Sequence, residues 1–259
     1  MRLDRVSLAF GLIGLGILSL VYGDFALQWQ PVPAWVPARQ LLAYASGAVL
    51  LGAGAGLLST RTAVPSSRVL LVYALLWLVL LKLPEVAAAP LVEVNWLGAG
   101  EIAVILAGSW VLFASLRAQQ DSAKPDLAIG DRAMRIARFL FAIALIPIGL
   151  SHFVYSAATI GFVPKWLPYR AGWAYLGGAG HIAAGLGVLF GVYPFLAATL
   201  EAAMIGVFTL LVWLPAVIAA PTDRLSWTGM FMSWLIGAGA WVVAGSIEKR
   251  ELGALQRPP

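Results

Sequence analysis

The chain contains no cysteine. That excludes disulfides, thiol chemistry and cysteine-ligated zinc or iron–sulfur centres. Charge is also scarce. Asp, Glu, Lys and Arg make up 11% of the 259 residues, where soluble domains carry about 25%. Histidine occurs twice, at His152 and His181, without the local ligand spacing that marks a metal site. The net charge of +5 is small, and the basic residues gather between apolar runs. They report topology, and no nucleic-acid surface is expected. The many glycines follow no strand, so they form no phosphate loop.

What is abundant is apolar surface, at 61% of residues. Apolar runs of about 17–25 residues, long enough to cross hydrocarbon, recur near 6–25, 41–58, 68–84, 94–116, 133–156, 173–191, 195–217 and 226–247. They are apolar on all sides and rich in Leu, Ala and Gly. That favours helices over an outer-membrane barrel, which needs short alternating segments. Arg2 and Arg5 before the run Val6–Tyr22 resemble the start of a secretory signal. The repeat described next needs that run as a retained span.

An offset of 131 residues, the distance from Pro33 to Pro164, superimposes the two halves without a gap. It places Pro33, Trp35, Pro37, Arg39, Tyr44 and Gly47 on Pro164, Trp166, Pro168, Arg170, Tyr175 and Gly178. It also matches Leu83-Pro84 with Leu214-Pro215, Trp96 with Trp227 and Trp110 with Trp241. The register breaks only near the first helix of each half. Such self-similarity predicts an all-α polytopic membrane protein of eight transmembrane helices, built as two parallel four-helix bundle repeats. The expected division is a first repeat over 1–118, a polar linker over 119–132 and a second repeat over 133–259. Twelve of the seventeen Lys and Arg residues fall on the side of the termini, Lys124 and Arg257 among them. The positive-inside rule then places both termini in the cytoplasm.

The duplicated element Pro33-Ala34-Trp35-Val36-Pro37-Ala38-Arg39 and Pro164-Lys165-Trp166-Leu167-Pro168-Tyr169-Arg170 is the most specific motif. By this topology both copies lie outside. The prolines suit a loop folded back onto the membrane, and Trp35 and Trp166 suit the headgroup layer. Arg39 and Arg170 suit a helix start or an anionic ligand. The ionisable residues inside spans are expensive to bury and therefore informative. His181 lies eight residues below Trp173, about 12 Å deep, and Glu101 five residues below Trp96, about 8 Å deep. His152 follows Pro147 near the outer end of its helix, where the proline is expected to kink it. Glu201 falls instead in the inner half of its helix. Lys82 and Asp24, near helix ends, are expected to snorkel to water. Gly52, Gly54 and Gly56 are expected to admit close helix contact. Each polar residue taken singly suits an interhelical contact. Glu101, His152 and His181 taken together suit an outward-facing pocket, because histidine titrates near neutrality.

The second half resembles a known family. Gly149-Leu150-Ser151-His152-Phe153, Val163-Pro164-Lys165-Trp166-Leu167-Pro168 and Tyr175-Leu176-Gly177-Gly178-Ala179-Gly180-His181 carry the likeness to DoxX-like four-helix membrane proteins. The first half looks like a degenerate copy, with Asp24-Phe25 in place of His152-Phe153 and Leu50 in place of His181. The resemblance implies a bacterial inner-membrane location. It also implies a link to redox systems, since one member is a subunit of a thiosulfate:quinone oxidoreductase. No covalently bound cofactor is implied. The expectation is an accessory or quinone-interacting partner of a membrane redox subunit, or alternatively a small-molecule or lipid transporter or binding protein without redox chemistry. Its candidate ligand-binding residues are His152, His181, Glu101, Arg39, Arg170, Trp35, Trp166 and Glu201.

Overall fold

The computed structural model describes residues 2–119 and 129–255. Most of the expected linker lies outside them, as do Lys124 and Arg257. Every regular element among the described residues is helical. Eight helical runs are long and apolar enough to cross a membrane, and the chain is a polytopic membrane protein. The helices are α1 (Arg2–Tyr22), α2 (Arg39–Leu58), α3 (Ala63–Trp77), α4 (Leu83–Ala88), α5 (Glu93–Ala118) and α6 (Asp131–Val154). They continue with α7 (Ser156–Phe162), α8 (Arg170–Phe190), α9 (Pro194–Phe208), α10 (Leu214–Ala219) and α11 (Arg224–Leu255). Helix α1 stops short of the expected residue 25, because Gly23 takes a φ of +59° that only glycine adopts freely.

Two spans hold a device that periodicity does not predict. A π-helical turn, Leu78–Lys82, joins α3 to α4, and a second, Thr209–Trp213, joins α9 to α10. Each precedes Leu-Pro. Proline lacks an N–H and crowds the carbonyl one turn back, so the wider turn absorbs it without breaking the span. Pro147 is carried inside a continuous α6.

The backbone recurs at the offset read from the sequence. The π turns at 78 and 209 are 131 residues apart, as are the left-handed residues Ala38 and Tyr169, both at φ 52°. Arg39 Nε donates to the Val32 carbonyl and Arg170 Nε to that of Val163. The indole of Trp96 donates to Pro90, and that of Trp227 to Pro221. In the first helices the offset becomes 133. Gly54 lies against Ala9 O and Ile13, whereas Gly185 lies against Ala142 O and Ile146. Gly47 meets Ser19 and Leu20; Gly178 meets His152 and Phe153. The structural counterpart of His152-Phe153 is therefore Ser19-Leu20, not Asp24-Phe25, because the α1–α2 loop is out of register by two residues.

The two sets of four spans interlock. α1 packs on α2, α2 on α3 and α3 on α5; likewise α6 packs on α8, α8 on α9 and α9 on α11. The first helix of each set then packs on the last helix of the other, α6 on α5 and α1 on α11. The result is two rings of helices that share the α5–α11 seam. At the seam a Cβ on Gly108 would stand 2.5 Å from Gly239 Cα, so backbone meets backbone. Not every glycine serves this end. Gly54 is in close contact, but a Cβ on Gly52 would meet nothing within 4 Å.

The rings differ in what fills them. In the first ring the α1–α2 loop folds inward, and Phe25, Ala26, Trp29 and Gln30 are buried. Gln30 Nε2 donates to Tyr73 Oη at 2.6 Å, and Trp77 Nε1 donates to the Trp29 carbonyl at 2.6 Å. Lys82 does not snorkel to water. It is 4% exposed, and its Nζ donates to Gln28 O at 2.8 Å and lies 3.1 Å from Glu85 Oε2. Nor is Asp24 a free end group, since its carboxylate accepts from both Arg39 and Arg224. In the second ring the corresponding loop forms α7, none of whose residues is buried. That ring keeps an internal space.

Candidate functional site

The space in the second ring is a cavity of about 390 Å³, within the roughly 300–1,000 Å³ of small-molecule sites. Glu101 from α5, His152 from α6 and His181 from α8 all line it. Trp29, Trp173, Trp213, Phe162 and Phe208 supply aromatic walls, and Ser233 a hydroxyl. Phe162, Val207 and Leu211 line the cavity and are also exposed. The cavity is therefore open to the outside of the helix ring near α7 and the second π turn.

Small residues bring the two histidines together. Gly149 and Gly178 let α6 and α8 meet at backbone distance, which leaves the imidazole centroids 5.3 Å apart. Phe208 lies 6.1 Å from each ring. His152 Nδ1 is 2.9 Å from the Ala174 carbonyl. A carbonyl only accepts, so Nδ1 carries the proton, and the neutral ring keeps a lone pair on Nε2. His181 Nδ1 lies 2.8 and 3.1 Å from the two oxygens of Glu201. Both side chains of that pair are about 1% exposed or less. A carboxylate on Nδ1 orients the imidazole and supports a positive charge on it when Nε2 takes up a proton. Glu101 accepts from the Trp29 indole through Oε2 at 2.8 Å.

The expected outward cluster of Glu101, His152 and His181 shares one cavity. Glu201, which its depth had set apart, is the partner of His181, because α8 and α9 run antiparallel and bring residues 20 apart to the same level. The tryptophans and arginines of the motif do not line it. Trp35 and Trp166 are 81% and 71% exposed. Arg39 is spent on Asp24 and Val32, and Arg170 on the carbonyls of Val163, Ile160 and Gly161. Arg170 thus shapes the loop whose Val163, Pro164 and Leu167 roof the cavity. Trp29 escaped the sequence reading. No repeat partner marks it, and its role depends on the inward course of the loop.

The first half carries no titratable side chain where the second has His152, His181 and Glu201. At the shared offset Leu50 stands for His181 and Leu70 for Glu201, and Ser19 replaces His152. Compared with protein-family models, curated proteins and solved structures, the chain matches none.

Proposed function

We propose that the cavity binds a lipid-soluble hydroquinone or quinone from the bilayer, with His152 and His181 as hydrogen-bond partners of its ring oxygens. The observation that carries this reading is that both histidines face the protein through the same ring nitrogen. Both rings use Nδ1 on the protein, and both line the cavity with Nε2 left over. A hydroquinone offers two O–H donors to two such lone pairs. Glu201 stabilises His181 as it accepts a proton, in the manner of a base held by a carboxylate. Aromatic walls suit a flat ring, and the opening beside α7 suits a ligand with an apolar tail. The likeness to DoxX-like proteins agrees with this role. We extend it to an accessory partner of a membrane redox subunit in a bacterial inner membrane. In that setting the Trp35 and Trp166 turns face outward and the termini face the cytoplasm. The recurrence at 131 residues supports origin by duplication, with the first copy plugged and the second kept open.

The test is thermal unfolding of purified protein with a short-chain hydroquinone. A ligand at a hundred times its Kd stabilises by about 2.7 kcal/mol, and the shift should disappear in His181→Ala and in His152→Ala. No shift with either redox form, or an equal shift in both variants, would overturn the reading.

One observation favours a second reading, transport or binding of a lipophilic amine without redox chemistry. Glu101 and several aromatic faces share the cavity, and together they suit a cation. Stabilisation by tetraphenylphosphonium, lost in Glu101→Gln and kept in His181→Ala, would select it.

A further inference from the structure

Glu93 opens α5 in its first turn, and both of its carboxylate oxygens are buried without a hydrogen-bond partner among the described residues. A buried polar group without a partner is costly, and each such case calls for an explanation. Its place on the helix supplies one. Glu93, Leu97 and Glu101 are spaced four apart and so share one face of α5. Leu97 and Glu101 line the cavity. Glu93 therefore stands on the same stripe two turns above Glu101, about 12 Å along the axis, at the end of the molecule that carries the Trp35 and Trp166 turns. The neighbouring Val94 N–H donates at 3.2 Å to Oη of Tyr155, the residue that joins α6 to α7, which ties this turn to the second ring. At the repeat-related position stands Arg224, which is fully engaged with Asp24 and the Phe25 carbonyl. One half closes this spot with an ion pair, and the other presents a carboxyl with no counter-ion.

We infer that Glu93 is a proton station linking the cavity to the water at the tryptophan-turn end, exchanging protons with Glu101 through intervening water molecules. A carboxyl buried without a counter-ion acts by taking up and releasing a proton. The next carboxyl on its face is the one that holds Trp29. Other titratable groups brought to this side of α5 are already occupied. Lys82 and Glu85 pair with each other beside α4, and Arg224 at the start of α11 is spent on Asp24. Tyr73 of α3 is bonded to Gln30 and Ser46. Tyr155, between α6 and α7, accepts from Val94, and His152 and His181 line the cavity with Glu101. The inference rests on the proposed proton exchange at the histidines, but its test needs no quinone.

The protein is reconstituted in vesicles, and the pH on one side is varied while the other is held. The absence of native cysteine allows a single Ala34→Cys to report orientation with an impermeant maleimide. Dicyclohexylcarbodiimide, which enters lipid and reacts with protonated buried carboxyls, is followed at Glu101 by peptide mass spectrometry. In the wild-type protein the Glu101 adduct should fall several-fold as the tryptophan-turn side is made alkaline. In Glu93→Gln it should no longer follow that side, and Glu93→Asp should restore the response. A melting curve matched to wild type checks that Glu93→Gln is folded. An unchanged response in Glu93→Gln, a Glu101 adduct that follows the opposite side, or no adduct at any pH would each overturn the inference.

Discussion

The His181–Glu201 pair invites a double substitution, because the molecule already contains the substituted version. Leu50 and Leu70 hold the equivalent places in the first half, where the same helix geometry closes over two leucines, both about 2% exposed or less. Replacing Glu201 alone by Leu strands an imidazole, and replacing His181 alone strands a carboxylate. Leaving a carboxylate buried without its partner costs about 3–5 kcal/mol and leaving a neutral imidazole so costs about 1–3 kcal/mol, whereas replacing both by apolar residues of similar volume is about neutral or stabilising by 1–4 kcal/mol. His181→Leu should thus be severe, Glu201→Leu intermediate and their combination mild. The coupling energy should be at least about 4 kcal/mol. An ordinary interhelical hydrogen bond in a membrane protein couples by only about 0.6–1.7 kcal/mol, so the size of the coupling identifies a bond to a buried charge. The assay is reversible unfolding of the purified protein in mixed micelles by titration with dodecyl sulfate, on all four corners of the cycle. Additive single effects, each below about 1 kcal/mol, would refute the argument. The double variant should still fold and should bind no hydroquinone.

Other substitutions test other contacts. Gly108→Ala drives a Cβ into the Gly239 backbone at 2.5 Å; it should cost about 1–3 kcal/mol or more by overpacking, read in the same titration. Gly52→Ala meets open space and should be neutral or stabilise by up to about 1 kcal/mol. Trp29→Phe keeps the aromatic wall but removes the donor to Glu101; it should cost about 1–3 kcal/mol, and Trp29→Ala should also enlarge the cavity. Asp24 lies in a loop. Partial burial works against its charge, but hydrogen bonds from Arg224, Phe25 N–H and Arg39 hold its pKa below the ordinary 3.8. A lowered folded-state pKa gives stability that is fully present above that value and lost as pH falls through the folded value. Acid should therefore loosen the clasp only below the ordinary carboxylate range. Asp24→Asn, a loss on the order of 1 kcal/mol given the exposure of the group, should remove that acid-dependent step in a melting series.

Much of the fold was legible because the bilayer imposes it. Uninterrupted apolar runs have one way to satisfy their backbone in hydrocarbon, so span number and approximate limits could be read directly. The offset of 131 was legible because tryptophan and proline are rare enough for coincidence to register. The π turns were hidden, since a wider turn leaves no mark on an all-round apolar run. Of the cavity, Glu101, His152 and His181 were visible as costly residues at similar depth. The pairing of His181 with Glu201 was not, because depth along a helix says nothing about which faces meet.

The sequence by itself determined that this is an all-helical membrane protein whose second half concentrates the histidines. The scarcity of charge and the length of the apolar runs suffice for that. Only the tertiary structure decided that each half lends its first helix to the other. It alone showed that the α1–α2 loop plugs one ring while α7 leaves the other open, and that Glu201 belongs with His181. These outcomes depend on where small residues let backbones touch and on the course of two loops. Both are set by packing between segments far apart in the chain, which no local pattern records.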